Sequence, residues 1–198
     1  MNIWFTSDTH ASHRNITGEK LSTWKSGFRN FESIKEMDDT MIETINKYVK
    51  ENDILYHLGD FAFGSPQKMY DFRKSLDCKN IHLIKGNHDE IFDEDNEDKL
   101  TRLSFNPYEL FTSVKDVYTG YIGKNKFHLS HYAHRVWPQS HKGAIHLYGH
   151  SHGGIKDFGK SMDVGIDAHK EFRPFHINEI LQIMEKREIA KNDSTWLV

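Results

Sequence analysis

The chain has 198 residues, a formal net charge of −3 at pH 7 and 37% hydrophobic residues. A chain of this length can bury roughly 70% of the surface that its unfolded form exposes, so we expect one domain over residues 1–198 with one hydrophobic core. The slight negative charge argues against an extended basic groove for nucleic acid. No segment approaches the ~20 apolar residues of a membrane span, so we expect no association with a membrane.

The single cysteine, Cys78, cannot form an intramolecular disulfide. The N-terminal sequence MNIWFTSDTH lacks the basic and apolar regions of a signal peptide. We therefore expect a cytoplasmic protein.

The first half of the chain alternates between strand and helix patterns. Apolar runs of β-type residues predict the strands, while helical spacing or an N-terminal proline predicts a helix after each of the first two. The predicted order is a strand at 2–7, a helix within 31–50, a strand at 53–59, a helix at 66–76 and a strand at 80–86. This order predicts a βαβαβ unit with a parallel sheet.

The second half carries short strands followed by one helix. An acidic run at 93–98 lacks the spacing and turn glycine of a calcium loop, so we interpret it as a solvated loop. Predicted strands follow at 126–130 and 144–149, with weaker patterns within 111–122 and at 161–166, and a final helix lies near 177–188. The sequence GKNK at 123–126 predicts a hairpin turn, and we expect antiparallel pairing in this half.

The five clear strands all end beside side chains that can bind a metal. Those side chains are Asp8 and His10, then Asp60, then Asn87 and His88, then His131, and finally His150 and His152. Ligands of open α/β sheets bind outside the carboxyl ends of the strands, so these groups are expected at one edge. Glycines directly before three of them, Gly59, Gly86 and Gly149, permit sharp turns and close backbone approach. Taken alone, His150 and His152 would be interpreted as surface histidines.

The types of these side chains favour two metal ions. Even without His88, two aspartates, one asparagine and four histidines are too many ligands for one tetrahedral zinc, and the absence of cysteine disfavours a structural zinc site. Mixed imidazole and carboxylate ligands suit manganese, iron, zinc or nickel. An aspartate that bridges two ions about 3.5–4 Å apart would let a shared water become a hydroxide nucleophile near neutral pH. Such an arrangement hydrolyses phosphate esters.

In these motifs the chain resembles the calcineurin-like metallophosphoesterases. The family pattern is present as DTH (8–10), GD (59–60), GNHD (86–89), LSH (129–131) and GHSH (149–152), in the expected order. The stretch FTSDTHASHRNI is similar to small bacterial and phage-type members, although Ala11 and Ser12 depart from their pattern. The resemblance implies an α/β fold in which a sandwich of two β-sheets is flanked by helices.

The resemblance also implies a ligand set for two divalent transition-metal ions, with manganese expected first. One ion would be held by Asp8, His10, Asp60 and His152, and the other by Asp60, Asn87, His131 and His150. Asp60 would then bridge the two ions. His88 would approach the phosphate, where it could protonate the departing alkoxide, an effect typically worth about 10²–10⁴ in rate.

Further candidates follow the predicted ligands closely. His13, Arg14, His134 and Arg135 could reach an anionic substrate, and for each of them a solvated surface position is an equal alternative. Asp89 could orient His88 or cap the following segment. Four histidines inside the strands are interpreted as packed sheet residues, namely His57, His82, His128 and His146.

These observations predict a dinuclear phosphoesterase that acts on small phosphate esters by attack of a metal-bridging hydroxide. The motif intervals leave little material for a lid, and few cations are available to balance the second charge of a monoester. We therefore expect a phosphodiesterase for small nucleotide-like diesters. The alternatives are a phosphomonoesterase, a nuclease subunit whose partner supplies the nucleic-acid groove, and a nonenzymatic scaffold, which would be expected to have lost ligands. The oligomeric state is not predicted.

Overall fold

The computed structural model describes residues 1–18, 20–22 and 29–189. Its helices are α1 (Ile34–Tyr48), α2 (Pro66–Lys74), α3 (Glu97–Leu100) and α4 (Ile177–Glu185). Its strands are β1 (Ile3–Thr6), β2 (Ile54–His57), β3 (Asn80–Ile84), β4 (Ser113–Lys115), β5 (Val117–Ile122), β6 (Asn125–Ser130), β7 (Ile145–Tyr148), β8 (Ser161–Asp163) and β9 (Phe175–His176). They form two sheets flanked by helices, which confirms the predicted fold class.

The first sheet has the strand order β4-β3-β2-β1-β9. Strands β1 to β4 are parallel, as the βαβαβ pattern predicts, and their carboxyl ends lie at one edge. The short strand β9 pairs antiparallel with β1 through Trp4 and His176. It was not predicted, because two residues are too few for an alternating pattern to be visible.

The second sheet has the order β5-β6-β7-β8. Strands β5 and β6 form the predicted hairpin, with Ile122 opposite Asn125. Strands β6, β7 and β8 are parallel, so the expected antiparallel pairing is wrong for them. The connections at 131–144 and 149–160 are long enough for the crossovers of about a dozen residues that parallel neighbours require.

Local sequence accounts for the helix boundaries. The side chain of Ser33 accepts a hydrogen bond from the Glu36 backbone and caps α1, and Pro66 occupies the first turn of α2. At the start of α4, His176 and Glu179 form a reciprocal capping box. The acidic run at 93–98, predicted to be a solvated loop, forms short helical turns in which Asp93, Asp95 and Asp98 are exposed.

Two hydrophobic clusters occupy the described part of the chain, in place of the single core expected. One joins α1 and α2 to the first sheet through side chains such as Met41, Phe72 and Leu83. The other lies between the sheets and α4, and it includes Phe5, Phe127 and Ile180. The division follows from alternation, because successive residues of a strand point to opposite faces of the sheet.

Candidate metal centre

The loops after the strands bring the predicted ligands together. Potential ligand atoms within 4.8 Å of one another fall into three groups. The groups are Asp8, His10 and His152, then His10, Asp60 and His88, and finally Asp60, His131 and His150. Because neighbouring groups share a member, they form one continuous cluster.

Asp60 lies between the two halves of this cluster. Its Oδ2 atom is 3.4 Å from Nε2 of His10 and 3.5 Å from Nε2 of His131. The side-chain oxygen of Asn87 is 3.1 Å from the same nitrogen of His131 and 3.2 Å from the Tyr132 hydroxyl. One carboxylate therefore faces imidazoles on both sides, which is the position expected of a bridging ligand.

The backbone at the cluster is unusual. Five of the predicted ligands have left-handed φ angles, namely Asp8 (55°), His10 (47°), Asp60 (55°), His150 (66°) and His152 (48°). Left-handed φ is uncommon for residues other than glycine, and such strained conformations concentrate at functional sites. The positive φ angles indicate that tertiary contacts keep these five residues in a conformation that is unfavourable for an isolated chain.

Two glycines allow the loops to approach this closely. A Cβ atom on Gly86 would collide with the side chain and backbone nitrogen of Asp60. A Cβ atom on Gly149 would collide with the side chains of Ser7 and Asp8. The close backbone approach predicted from the sequence is thus required at both positions.

Protein groups fix the rings of two predicted ligands. Nδ1 of His131 lies 2.7 Å from the carbonyl oxygen of Leu58, and Nδ1 of His152 lies 2.7 Å from a carboxylate oxygen of Asp167. Carboxylate and carbonyl partners of this kind orient metal-binding histidines and set their tautomer. The sequence reading missed Asp167, because no family motif includes it.

Arg29, which is buried, was also missed. It makes two 2.9 Å hydrogen bonds to the Asp167 carboxylate and donates to the backbone oxygens of Asp8 and Thr9. The guanidinium therefore supports both the partner of His152 and the left-handed backbone at Asp8. Asp167 is 138 residues from Arg29 in the sequence, and the only available signal was an arginine within an otherwise unassigned segment.

Asp89 has neither of the two roles that the sequence left open. Its carboxylate accepts hydrogen bonds from the backbone nitrogens of Asp60, Phe61 and Gly86. It thereby ties the loop after β2 to the loop after β3. Burial, partly offset by these hydrogen bonds, raises the pKa of Asp89 to about 6.

The electrostatics of the cluster suit cations. Burial raises the pKa of Asp8 to about 7. Burial would also raise the pKa of Asp60, but hydrogen bonding by His131 and the charges of His10 and His131 lower it. For His131 the burial effect is outweighed by Asp60, and its pKa rises to about 9. Bound protons neutralise part of the negative charge of these buried carboxylates, and a divalent ion could take their place.

The donor set fits the metal ions predicted from the sequence. It offers carboxylate, imidazole and amide donors, and a mixed set of this kind suits divalent transition metals. The thiol of Cys78 is buried elsewhere, against the backbone oxygen of Asp53. Asp8 and His10 are buried, whereas Asn87 and His150 are exposed, so the second half of the cluster is the side that solvent and a substrate can reach.

His88, a member of the second donor group, and His13 lie at the edge of the cluster. The ring centre of His88 is 5.4 Å from that of His10, and its backbone donates to Asp60. Nδ1 of His13 lies 3.4 Å from Nδ1 of His10, and its ring stacks on Phe63 at 3.8 Å. Both positions are compatible with contact to a bound phosphate ester.

The other three predicted substrate-binding residues make contacts elsewhere. Arg14 donates to the backbone oxygen of Leu21, and Arg135 lies over the ring of Phe158. His134 is hydrogen-bonded to His128. No contact between these three side chains and the cluster is present among the described residues, and their role in substrate binding stays a prediction.

The histidines inside the strands are packed, as predicted. His57 binds the hydroxyl of Thr9, and His82 binds that of Ser113. His128 lies between Thr119 and His134, and His146 between the His134 backbone and the His128 backbone. Burial lowers the pKa of His57 to about 3.

Comparison with known proteins shows the family of this chain. A family model described as calcineurin-like phosphoesterase matches residues 1–172. An uncharacterized protein from Methanocaldococcus jannaschii is 28% identical over 96% of this chain and 94% of its own length. A protein of unknown function from Aquifex aeolicus has a solved structure with a TM-score of 0.60 and 21% identity, covering 92% of this chain and 98% of that one. The phosphoesterase Yfce from E. coli is 17% identical, covers 84% of this chain and 79% of its own, and has a TM-score of 0.39.

Proposed function

The chain belongs to the calcineurin-like phosphoesterase family, and from this premise we propose that it is a dinuclear metal-dependent phosphodiesterase of small nucleotide-like diesters. The observation that carries the proposal is the position of Asp60, whose single Oδ2 atom lies between His10 and His131. Two neighbouring metal ions require a ligand that both can share, and Asp60 belongs to a group of donors on each side. The chain retains every ligand that the family pattern implies, which favours an enzyme over a scaffold.

Seven side chains would hold the two ions. Asp8, His10, Asp60 and His152 would bind the first, while Asp60, Asn87, His131 and His150 would bind the second. When bound, the ions would supply a hydroxide nucleophile near neutral pH and neutralise charge on the phosphate. Manganese is the ion expected first, and iron, zinc or nickel would also suit these donors.

His88 is the proposed general acid. It lies in the donor group with His10 and Asp60 but is not one of the seven predicted ligands, and it is half-buried. A protonated imidazole beside the scissile bond can donate its proton to a departing alkoxide. The backbone nitrogen of His88 donates a hydrogen bond to Asp60 and so anchors the backbone of His88 next to the cluster.

The charge around the cluster supports a diester substrate. A monoester carries a second negative charge, which phosphate-binding sites usually balance with arginine or lysine. Arg29 reaches the cluster, but Asp167 already binds its guanidinium on two atoms. Arg14 and Arg135 are engaged by Leu21 and Phe158. A singly charged diester therefore matches the site better.

The test is a comparison of two esters on protein reconstituted with manganese. We expect a higher kcat/KM for bis-nitrophenyl phosphate than for nitrophenyl phosphate, and loss of both activities on chelation. A tenfold preference for the monoester, equivalent to about 1.4 kcal/mol, would overturn the diester assignment. No turnover of either ester by protein that holds two ions would favour the scaffold, and binding of nucleic acid at low salt would favour the nuclease subunit.

The substrate is expected to be a small phosphate ester. No helix in the described ranges has the length and apolar character needed to cross a membrane.

A further inference from the structure

A cavity of about 250 Å³ lies directly beside the candidate metal centre, and His88 forms part of its wall. The loop between β2 and α2 lines one side, and the segment after β3 lines the other. Because His88 also belongs to the cluster with His10 and Asp60, it separates the metal centre from the cavity. A group attached to a phosphate at the centre could therefore extend into this space.

The walls of the cavity combine apolar and polar side chains. Phe63, Met69 and Ile91 provide an apolar wall, and the ring of Phe63 is already stacked on His13 and meets His88 at 5.2 Å. Glu90 and Lys99 add one carboxylate and one ammonium group. Opposite charges offer an acceptor and a donor without favouring an anion, so a second phosphate is a poor match.

The size of the cavity restricts the ligand further. Pockets that enclose a whole drug-sized molecule have volumes of about 300–1,000 Å³. A cavity of about 250 Å³ suits a single ring system. An apolar face for stacking, together with donors and acceptors at the edge, is the chemistry that binds a nucleobase.

We propose that this cavity binds the base of the leaving nucleoside, so that the enzyme selects diesters whose departing alcohol carries a ring. The inference rests on the proposed function, because the leaving side is identified by His88. A general acid must lie next to the oxygen that departs. The cavity adjoins His88, and it therefore receives whatever that oxygen is attached to.

The substrate test uses dithymidine monophosphate and two abasic analogues, in which a tetrahydrofuran sugar replaces one nucleoside or the other. The alkoxides are then chemically alike, and only the ring differs. Product analysis identifies the leaving side. We expect removal of the leaving-side base to lower kcat/KM by about tenfold or more, and removal of the retained base to lower it by less than about threefold. Equal effects at both sides, or none, would overturn the proposal.

Ser65→Trp tests the location. Ser65 lines the cavity, is exposed, and makes no side-chain capping bond at the start of α2, so its replacement should preserve the fold. The variant should lose the preference for the leaving-side base while keeping its kcat/KM on the analogue without that base. Gln67→Trp is the matched control, because Gln67 is exposed on the same helix outside the cavity lining. The same loss in both variants, or a loss on both substrates, would contradict the assignment.

A binding measurement separates this inference from the proposed function. Thymidine is titrated into zinc-reconstituted protein and followed by saturation-transfer NMR, with ribose as the comparison ligand. Thymidine contacts that are present in the wild type and Gln67→Trp but absent in Ser65→Trp would support the cavity even if no ester were hydrolysed. Absence of thymidine contacts in a protein that does hydrolyse bis-nitrophenyl phosphate would overturn the cavity and leave the proposed function standing.

Discussion

Two sets of histidines in this molecule differ in the type of group that contacts their ring nitrogens. The site histidines, His131 and His152, each have Nδ1 bound by a protein oxygen and lie in the donor groups with Asp60 and Asp8. Two of the strand histidines, His128 and His146, are bound instead by a hydroxyl, by a second imidazole and by backbone groups, and no carboxylate contact to either is present in the described part of the chain. Because a carboxylate partner favours a charged imidazole or an imidazole that binds a cation, contact with a carboxylate distinguishes the two sets, whereas burial does not.

The two sets also differ in pKa. Burial lowers the pKa of His128 to about 4 and that of His146 to about 3, and the strand histidines are therefore neutral at pH 7. At the site, Asp60 outweighs the burial of His131 and raises its pKa to about 9. The same side chain thus serves as a neutral packing group in the strand and as the partner of a buried carboxylate at the edge. This difference predicts that metal binding changes the protonation of the site histidines and leaves that of the strand histidines unchanged.

The largest expected effect is the loss of Asp60. In Asp60→Ala both groups of donors lose their shared carboxylate, so we expect activity to fall by more than about 10⁴-fold, beyond the effect of removing one acid. Elemental analysis should show fewer than two ions per chain. Asp116→Ala is the matched control, since Asp116 is an exposed aspartate that pairs with Lys85 and belongs to none of the donor groups. An active Asp60→Ala protein that retains two ions would remove the bridging role.

Replacement of His88 should reduce activity without removing metal. We expect His88→Ala to keep both ions and to lose about 10²–10⁴ in rate on dinucleotides, whose alkoxides need a proton. Nitrophenyl esters should be less affected, because nitrophenolate leaves without one. The exposed His141 supplies the control variant, His141→Ala. If both kinds of ester lose the same factor, His88 is not the acid.

Asp167 tests whether the partner of a site histidine matters. Asp167→Asn leaves the proposed ligands intact but weakens the contact to His152 and the pairing with Arg29. We expect metal affinity to fall by about 10- to 100-fold, measured by competition with a chelator. Asp53→Asn removes a buried carboxylate that binds Asn2 and Trp4 near the start of β2, and it should leave metal affinity unchanged. Equal losses in the two variants would point to general destabilisation.

The sequence predicted the elements that carry their own pattern. The strands that end at Asp8, Asp60 and Asn87 were found because an apolar run stops at a polar side chain, and parallel pairing places such ends together. The close backbone approaches at Gly86 and Gly149 could be predicted because a glycine directly before a ligand indicates a position where a side chain would not fit.

The missed features depend on pairs that are distant in sequence. The hydrogen bonds between Arg29 and Asp167 join segments with no shared pattern, and neither residue lies in a family motif. The parallel direction of the consecutive strands β7 and β8 was missed for another reason, since alternation reports which face of a strand is buried but not the direction in which it pairs. Asp89 was visible in GNHD, but only the fold shows that it binds the backbone of Asp60.

The smallest expected effect concerns acid stability and the strand histidines. A buried histidine whose folded-state pKa lies below the unfolded value near 6.5 binds fewer protons in the folded state, so stability falls as pH drops below about 6.5. For His128 and His146 the loss continues towards pH 4 and 3, with a slope of up to about 1.4 kcal/mol per pH unit for each.

The measurement compares wild type with His128→Gln by thermal unfolding between pH 7.5 and 5, with the same metal in both proteins. At pH 7.5 the variant should melt a few degrees lower, because it loses hydrogen bonds to Thr119 and His134. At pH 5 the difference should shrink or reverse, because glutamine does not take up a proton and only the wild type has lost this contribution. His141→Gln, at an exposed position, should follow the wild type throughout. A difference between wild type and His128→Gln that stays constant with pH would show that His128 is not held neutral by the strand, and the contrast between the two sets of histidines would then rest on their hydrogen bonds alone.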